Sequence, residues 1–290
     1  MKVVLLTTLL GLVENARIQT EVENLGHTFR LVNLSDFSFT AGVDGLTIAE
    51  LGSEKIDLAI VRGVFQAIKP ISVIIEKIRN NGVKVFDNDL GKHLYSIDKV
   101  TDIAKLACAG IDVPETFYSR DFADYPEAAE RIGYPTIIKL TRSGKGANIY
   151  KVDDHEALVK KIAELDAQGR EAKSFIIQKF IDYEHDLRVL VIGESVFAMK
   201  RIPKMGDFRA NFSLGGTVEP FLLTDADKKL SITALNAIGM SVGGVDILID
   251  KMNNRYILEV NHTAGFVGME KATNKNIGKI FVEHAFKNAK

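Results

Sequence analysis

The chain has 290 residues, of which 46% are hydrophobic, and its formal net charge at pH 7 is -1. This length and composition exclude a disordered tail protein and favour a multi-lobed enzyme with a sizeable buried core. Acidic and basic residues are interspersed, so no overall field attracts nucleic acid or an anionic membrane, and any phosphate site must be local.

The single cysteine, Cys108, cannot form a disulfide within the chain, which is typical of a reducing cytoplasm. Its apolar neighbours predict an apolar helix face. Residues 1–11 form an apolar run without a small-residue cleavage pattern, so we interpret them as a first buried strand and not as a signal peptide. No apolar stretch approaches the roughly 20 residues that cross a membrane, which predicts a soluble protein.

Short apolar runs alternate with amphipathic helical stretches from Lys2 to about His93, and this alternation predicts a small parallel α/β lobe. The predicted elements, in chain order, are Val3–Leu6, Glu14–Leu25, Phe29–Leu34, Leu58–Val61, Ile71–Arg79 and Val83–Phe86. Strand ends of such a lobe often offer a ligand crevice, so Arg62 and Gly63 are candidates to line a substrate pocket. An ordinary solvated loop arginine is the alternative.

A helix from Ser96 to Ala109, with Ser96 as N-cap and Asp98 in the first turn, is predicted to open a second region. Two strand-like runs, Tyr134–Leu140 and Ala147–Val152, then flank a basic, glycine-containing segment, which predicts a hairpin with a mobile tip. The remaining predicted elements are the helix from His155 to about Ala167, the strands Ser174–Gln178, Asp186–Ile192 and Ser195–Arg201, the helix from Asp225 to about Ile238, and the strands Gly244–Ile249 and Arg255–Val260.

The predicted hairpin carries a possible phosphate clamp. Lys139 ends its first strand, and Arg142 and Lys145 follow in the tip with two glycines. Glycine lets backbone amides approach phosphate oxygens closely, and lysine supplies a point charge. A basic hairpin tip on the surface is the alternative, and the spacing matches neither a Walker loop nor a dinucleotide fingerprint.

A second group of residues has the chemistry of a metal site. Asp246 interrupts an apolar strand, while Glu259 and Asn261 lie two apart at a strand end and point to one face. A hard divalent cation offsets the cost of burying carboxylates, and oxygen ligands suit magnesium, which also keeps waters and phosphate oxygens. The alternative is a structural salt-bridge network with nearby arginines.

A dense third group of charges lies between residues 186 and 211. Cations gathered near oxygen-rich ligands indicate an anionic ligand that completes the charge balance, and a solvated basic hairpin is the alternative. The group consists of Asp186, Arg188, Lys200, Arg201, Arg209 and Asn211.

In this order, the three groups resemble the RimK-type branch of the ATP-grasp ligases, the family of ribosomal-protein glutamate ligases and related amino-acid-adding enzymes. The resemblance covers nearly the whole chain and is densest from Ser96 to Glu270. The residues that carry it are Ser96-Ile97-Asp98-Lys99, Tyr134-Pro135-Thr136-Ile137-Ile138-Lys139, Ile177-Gln178-Lys179-Phe180-Ile181, Asp186-Leu187-Arg188-Val189, Gly206-Asp207-Phe208-Arg209-Ala210-Asn211, and Val245-Asp246-Ile247-Leu248 before Glu259-Val260-Asn261.

The resemblance implies an α/β fold with the α+β architecture of ATP-grasp enzymes, in which two α+β lobes sandwich ATP. Residues 1–94 would form a parallel α/β pre-ATP-grasp lobe that helps to bind the carboxylate substrate. Residues 95–290 would form the ATP-grasp domain. Its mobile lid would lie within residues 95–178, and its metal- and substrate-binding lobe within residues 179–290.

The resemblance also implies a role for single residues. Lys99, Lys139 and Lys145 would contact nucleotide phosphates, and the loop Arg142–Ala147 would close as a lid. Arg201, Arg209 and Asn211 would be catalytic, with the arginines stabilising charge in the transition states. The other implied contacts are Gln178, Lys179, Phe180 and Ile181 at the adenine, Asp186 at the ribose, Arg209 and Asn211 at the phosphates, and Asp246, Glu259 and Asn261 on two magnesium ions.

The implied reaction is an ATP-dependent ligation through an acyl phosphate, which adds an amino acid such as glutamate to a protein, peptide or coenzyme carboxylate. Magnesium, with manganese as a possible substitute, would be the metal, and a dimer or tetramer is the expected assembly. The alternatives are an amino-acid biosynthesis ligase that acts on a carrier protein and a non-catalytic ATP-sensing module. A Rossmann-type oxidoreductase is excluded because the first strand is not followed by a glycine fingerprint.

Two positions depart from the family pattern. Lys179 stands where an acidic residue is common, and His262-Thr263-Ala264-Gly265 lacks the usual proline after the last metal ligand. His262 is a candidate general base for the attacking amine, and a hydrogen-bonded bystander is the alternative.

Overall fold

The computed structural model describes residues 1–35, 37–43, 45–52, 54–64, 68–90, 98–142, 148–210 and 217–290, with only the backbone at 68–70. The strands are β1 Lys2–Thr7, β2 Thr28–Asn33, β3 Phe39–Gly42, β4 Gly45–Ile48, β5 Leu58–Val61, β6 Lys84–Phe86, β7 Thr116–Phe117, β8 Thr136–Leu140, β9 Ile149–Val152, β10 Phe175–Lys179, β11 Tyr183–Ile192, β12 Ser195–Ile202, β13 Thr217–Pro220, β14 Val242–Asp250 and β15 Arg255–Asn261. The helices are α1 Val13–Asn24, α2 Ile68–Asn80, α3 Lys99–Cys108, α4 Tyr125–Ile132, α5 His155–Ala167, α6 Asp225–Ile238, α7 Val267–Thr273 and α8 Ile277–Asn288.

The first sheet is parallel and has the strand order β2-β1-β5-β6, which confirms the predicted α/β lobe. Helix α1 packs on one face of the sheet and α2 on the other, because β1 and β5 are apolar on both faces. The chain runs from β1 to β2 on one side and then returns from β2 to β5 on the other side of β1, so the ends of β1 and β5 flank a topological switch point. Arg62 and Gly63 follow β5 at this point.

The core of the first lobe also contains the last helix of the chain. Phe281 and Val282 of α8 belong to the same buried cluster as Leu5 and Ile60, and the backbone of Lys290 pairs with Val85 at the edge of β6. One continuous core therefore crosses position 94. The domain boundary drawn there stays a prediction.

The other two large sheets are antiparallel. The second has the order β7-β10-β8-β9 and packs against α4 and α5, and the third has the order β13-β12-β11-β14-β15 and packs against α3 and α6. The predicted hairpin of β8 and β9 is confirmed, as are the α5 and α6 predictions. This arrangement is the α+β fold expected of an ATP-grasp enzyme. Among the described helices, none is both long and apolar enough to cross a membrane.

Two local predictions were wrong, and several elements were not predicted. Helix α3 begins at Lys99 with Asp98 as its N-cap, because the Asp98 carboxylate accepts a hydrogen bond from the Thr101 N–H at 2.9 Å. Ser96, the predicted cap, lies outside the described residues. Cys108 is exposed together with Ala107 and Ala109, so of the apolar face expected around it only Leu106 is buried. The β3–β4 hairpin and helices α4, α7 and α8 were not predicted from the sequence.

Candidate active site

A cleft of about 770 Å³ is lined by residues of the second and third sheets and by the first residue of α3. Among its described lining residues, five cations face three carboxylates, so the cleft suits an anionic ligand. Eleven of the predicted site residues lie in its wall: Lys99, Lys139, Gln178, Lys179, Phe180, Ile181, Asp186, Arg201, Arg209, Asp246 and Glu259. Lys145 and Asn211 lie outside the described residues.

Lys139 is the most deeply buried cation in this wall. It is 3% exposed, and its Nζ donates to Gln178 Oε1 at 2.8 Å across the β8–β10 pair. Burial lowers the pKa of Lys139 to about 8, with Glu259 opposing the shift and Lys99 adding to it. The ammonium forms no ion pair with any described residue, so a phosphate oxygen would supply its missing counter-charge.

The segment between β10 and β11 forms the apolar part of the cleft. The ring of Phe180 meets that of Phe208 edge to face at 6.3 Å, and Lys151 Nζ lies 4.8 Å from the Phe180 ring centroid. The N–H groups of Lys179 and Phe180 donate to Glu115 and Pro135 carbonyls, so they are already used. The Ile181 N–H makes no hydrogen bond within the described part of the chain, which leaves it as the donor available to a purine.

Four charged side chains form a closed network on the third sheet. The Arg201 guanidinium donates to both Asp186 oxygens, at 2.6 and 2.8 Å, and to Asp246 Oδ2 at 2.9 Å. Arg188 Nη2 donates to the same Asp246 oxygen at 2.8 Å, and its Nε pairs with Asp246 Oδ1. The salt-bridge network left open by the sequence is therefore present around Asp246.

The network sets the charge of its two carboxylates in opposite ways. Burial by itself would raise the pKa of Asp246, but Arg188 and Arg201 together hold it below its ordinary value. Burial raises the pKa of Asp186 above its ordinary value although Arg201 opposes the shift. Asp246 is thus the carboxylate that stays ionised while buried, which a hard cation requires.

Glu259 lies directly opposite Asp246 in the β14–β15 pair, which places the two carboxylates beside each other. Its Oε2 lies 3.7 Å from Lys99 Nζ, and its Oε1 accepts from the Asn261 amide at 3.3 Å. No group of three or more His, Cys, Asp or Glu that could hold a metal occurs where side chains are described. A magnesium ion here would need Asp246, Glu259, the Asn261 oxygen, and oxygens of phosphate and water, a donor set that fits its preference.

Two bulges bring residues into the cleft that strand alternation would place elsewhere. In β11 the register shifts between Tyr183 and Asp186, and in β15 it shifts beside Glu259, so that Leu258 is the extra residue. Tyr183 and Leu258 consequently line the cleft. The Tyr183 hydroxyl donates to the Phe208 carbonyl at 2.7 Å and fixes the segment before Arg209. Strand periodicity predicted neither residue in the cleft, because a period of two does not reveal a bulge.

Arg209 is held in place by its neighbour Asp207. Its Nε and Nη2 donate to the two Asp207 oxygens at 3.0 and 2.9 Å, which raises the Arg209 pKa. Arg142 is mostly exposed, 3.9 Å from Asp98 Oδ2.

The other pocket candidates lie at the edge of the first sheet. Arg62, Gly63 and His262 line a second crevice of about 720 Å³, where the ends of β5 and β6 meet the loop after β15. His262 Nε2 lies 2.9 Å from Asp102 Oδ2 of α3, so the histidine is held in a hydrogen bond.

Residues 96–284 match the model of the RimK-like ATP-grasp domain. A probable alpha-L-glutamate ligase of Legionella pneumophila strain Corby is 28% identical over 297 residues, which cover 100% of this chain and 97% of that protein.

Two solved structures share the fold. The ATP-grasp ligase PsnB, complexed with a phosphomimetic variant of a minimal precursor, Mg and ADP, has a TM-score of 0.75 at 18% identity, with 98% of this chain and 97% of that chain covered. The RimK domain ATP-grasp protein of Sphaerobacter thermophilus DSM 20745 has a TM-score of 0.74 at 18% identity, with 98% and 99% covered.

Proposed function

Because the chain belongs to the RimK-like ATP-grasp family and is an ADP-forming ligase of carbon–nitrogen bonds, we propose that it joins an amino acid such as glutamate to a carboxylate of a protein, peptide or coenzyme. The observation that carries this proposal is the placement of the buried Lys139 in one cleft with Lys99 and the Asp246–Glu259 pair. Cations for phosphates and oxygen ligands for magnesium thus share a single site.

The nucleotide would lie with its purine against Phe180 and its triphosphate toward Lys99 and Lys139. The Ile181 N–H and the Lys179 carbonyl would form hydrogen bonds with the edge of the purine. Gln178 would line the adjacent wall, where it contacts Lys139. Asp186 would meet the ribose, since each of its oxygens keeps a lone pair beside the bond from Arg201.

Two steps would complete the reaction. A substrate carboxylate oxygen attacks the γ-phosphorus and ADP leaves, and the amine then attacks the acyl carbon, loses a proton, and phosphate leaves. Magnesium, when held by Asp246, Glu259 and Asn261 as one or two ions, would neutralise the charge on the phosphate oxygens, and Mn²⁺ could replace it.

This chain's own cations would stabilise the same charge. Lys139 and Lys99 would face the phosphates, and Arg201, Arg209 and Asn211 would face the oxyanion that forms on the acyl carbon. Exclusion of water from the cleft would protect the acyl phosphate from hydrolysis, and the predicted lid loop beyond Arg142 lies outside the described residues.

The choice of substrates follows the relatives. The Legionella pneumophila protein is named a probable alpha-L-glutamate ligase, and PsnB is complexed with its precursor peptide PsnA2 and AMPPNP in a further structure. An amino-acid donor and a peptide carboxylate as acceptor are the pair that these two names support together. No feature of the described surface favours a carrier protein instead.

The first test is phosphate release from ATP and Mg²⁺ over a panel of amino acids and acidic peptides, with mass spectrometry of the products. We expect ADP and phosphate only with particular pairs, and a product whose mass equals the pair minus one water. Nucleotide binding without release for any pair would contradict the proposal.

A matched pair of variants locates the metal site. Glu259→Gln should reduce turnover by about a hundredfold or more, because it removes a charge that holds magnesium, and should leave the circular dichroism unchanged. Glu219→Gln is the control, since Glu219 lies on the exposed edge strand of the same sheet, 3.6 Å from Lys200. Normal turnover in Glu259→Gln would refute the metal assignment.

A further inference from the structure

Arg62 is a buried cation that forms no ion pair with any residue that the structure describes. The residue is 8% exposed, its Nη2 donates to the Ala264 carbonyl at 2.7 Å, and its buried Nη1 has no hydrogen-bond partner within the described ranges. Burial lowers the Arg62 pKa to about 10, with Glu14 opposing the shift, and the group is still charged at neutral pH. A buried donor left unpaired costs free energy, so such a group points to a ligand.

The neighbouring carboxylates are already engaged. Glu14 Oε1 accepts from the N–H groups of Phe266 and Val267 at 3.0 and 3.3 Å, at the start of α7. Asp87, in the same crevice, pairs with Arg79 at 3.4 Å. Neither carboxylate forms an ion pair with Arg62 in the part of the chain that is described.

Arg62 lies between the switch point of the first sheet and the end of β15. It follows β5 at the switch point of the first sheet, where open α/β sheets bind ligands. The carbonyl that it contacts belongs to Ala264, three residues after Asn261, and three residues span at most about 10 Å. One small substrate can therefore reach from Arg62 to the end of β15 where the reaction would take place.

From these contacts we propose that Arg62 binds the α-carboxylate of the incoming amino acid, the carboxylate that does not react. This inference rests on the proposed ligase function and sharpens it, because it defines the amine donor as an amino acid with a free α-carboxylate. Guanidinium geometry suits carboxylate and phosphate alike, but a carboxylate matches the single charge of Arg62, whereas a phosphate dianion would bring one negative charge more than Arg62 can balance. The apolar walls of the crevice, including Phe86 and Phe266, would then contact the rest of that amino acid.

The test compares amino acids with their α-amides. Binding of the twenty amino acids to the full chain with ADP and Mg²⁺ is measured by calorimetry, and the tightest binder is then replaced by its α-amide. We expect the amide to bind about tenfold to a hundredfold more weakly, because it loses the charged hydrogen bond. Equal binding of acid and amide, or no binding by any amino acid, would overturn the inference.

Variants of Arg62 show whether this side chain causes the difference in binding between the amino acid and its α-amide. In Arg62→Gln the acid and the amide should bind within about twofold of each other, and Arg62→Lys should restore part of the preference. Arg30→Gln is the matched control, because the Arg30 guanidinium also donates to carbonyls of the first lobe, at 3.0 and 2.6 Å, but lies outside the crevice. If Arg62→Gln does not fold, the inference is tested by the binding of acid and amide to the wild type and to Arg62→Lys.

The outcome can be separated from that of the ligase assay. If ligation proceeds equally well with the acid and the amide, the ligase proposal stands and the role of Arg62 is refuted. If the acid binds through Arg62 but no pair is ligated, the binding site stands and the proposed reaction fails.

Discussion

The buried charges on the two walls of the cleft differ in how they are neutralised. On the third sheet, Asp186, Arg188, Arg201 and Asp246 neutralise one another within hydrogen-bonding distance. On the second sheet, Lys139 is buried, and among the described residues it donates to the neutral Gln178 amide. A balanced network can act as a scaffold before any ligand binds, whereas an unbalanced charge gains a partner when an anion binds. We therefore expect the loss of an arginine from the network to lower stability more than the loss of Lys139 does, and the loss of Lys139 to lower nucleotide affinity.

Removal of Arg201 should have the largest effect on stability. Arg201→Met leaves Asp186 and Asp246 buried with one cation fewer, so the free energy of unfolding should fall by about 3–5 kcal/mol. Chemical denaturation measures this change. Lys251→Met serves as the control, since the exposed Lys251–Asp182 pair should contribute nothing measurable. A loss in Arg201→Met no greater than in this control would break the contrast between the walls.

Removal of Lys139 should give the opposite pattern. Lys139→Met should weaken nucleotide binding about tenfold to a hundredfold, because a charged contact to phosphate is lost. The free energy of unfolding should stay the same or rise by about 1 kcal/mol, since a buried charge without a counter-ion disappears. Titration calorimetry and denaturation of one preparation give both quantities. A large loss of stability with unchanged affinity would show that Lys139 belongs to the scaffold.

The pH dependence of nucleotide binding should show a smaller effect with a defined sign. The free protein holds Lys139 with a pKa of about 8, and a bound phosphate would raise that pKa, so binding takes up a proton near and above pH 8. The dissociation constant should rise up to about tenfold per pH unit above 8 and stay flat below it.

Calorimetry in two buffers of different ionisation enthalpy detects the proton uptake. Lys139→Arg should abolish the uptake, because arginine keeps its proton throughout this range. The same shift predicts that the apo protein gains stability from this group as pH rises from about 8 toward 10.5, where the unfolded chain binds more protons. Equal uptake in wild type and Lys139→Arg would assign the proton to another group.

Much of the site could be placed from the sequence because its residues lie at strand positions with a regular period. Lys139 ends a predicted strand, and Asp246 and Glu259 interrupt two strands that pair in antiparallel register. Alternation then decides which side chains share a face. The roles of these residues remain proposals, but their presence in one cleft is observed.

The parts that the sequence did not reveal depend on contacts between distant segments. Tyr183 and Leu258 enter the cleft through bulges, and a bulge depends on strand pairing and not on local composition. Helix α8 joins the core of the first lobe although more than 200 residues separate it from β1, and no local pattern encodes such a partner.

The sequence by itself determined the fold class, the strands that carry the charges, and the family to which the chain belongs. These properties follow from periodicity and from ordered motifs, which are local. The tertiary structure decided which buried charges neutralise one another and which do not. Arg201 and Arg62 are both arginines beside a strand end, but one donates to two carboxylates and the other to a single carbonyl. That difference arises from desolvation and geometry, which only the packed chain defines.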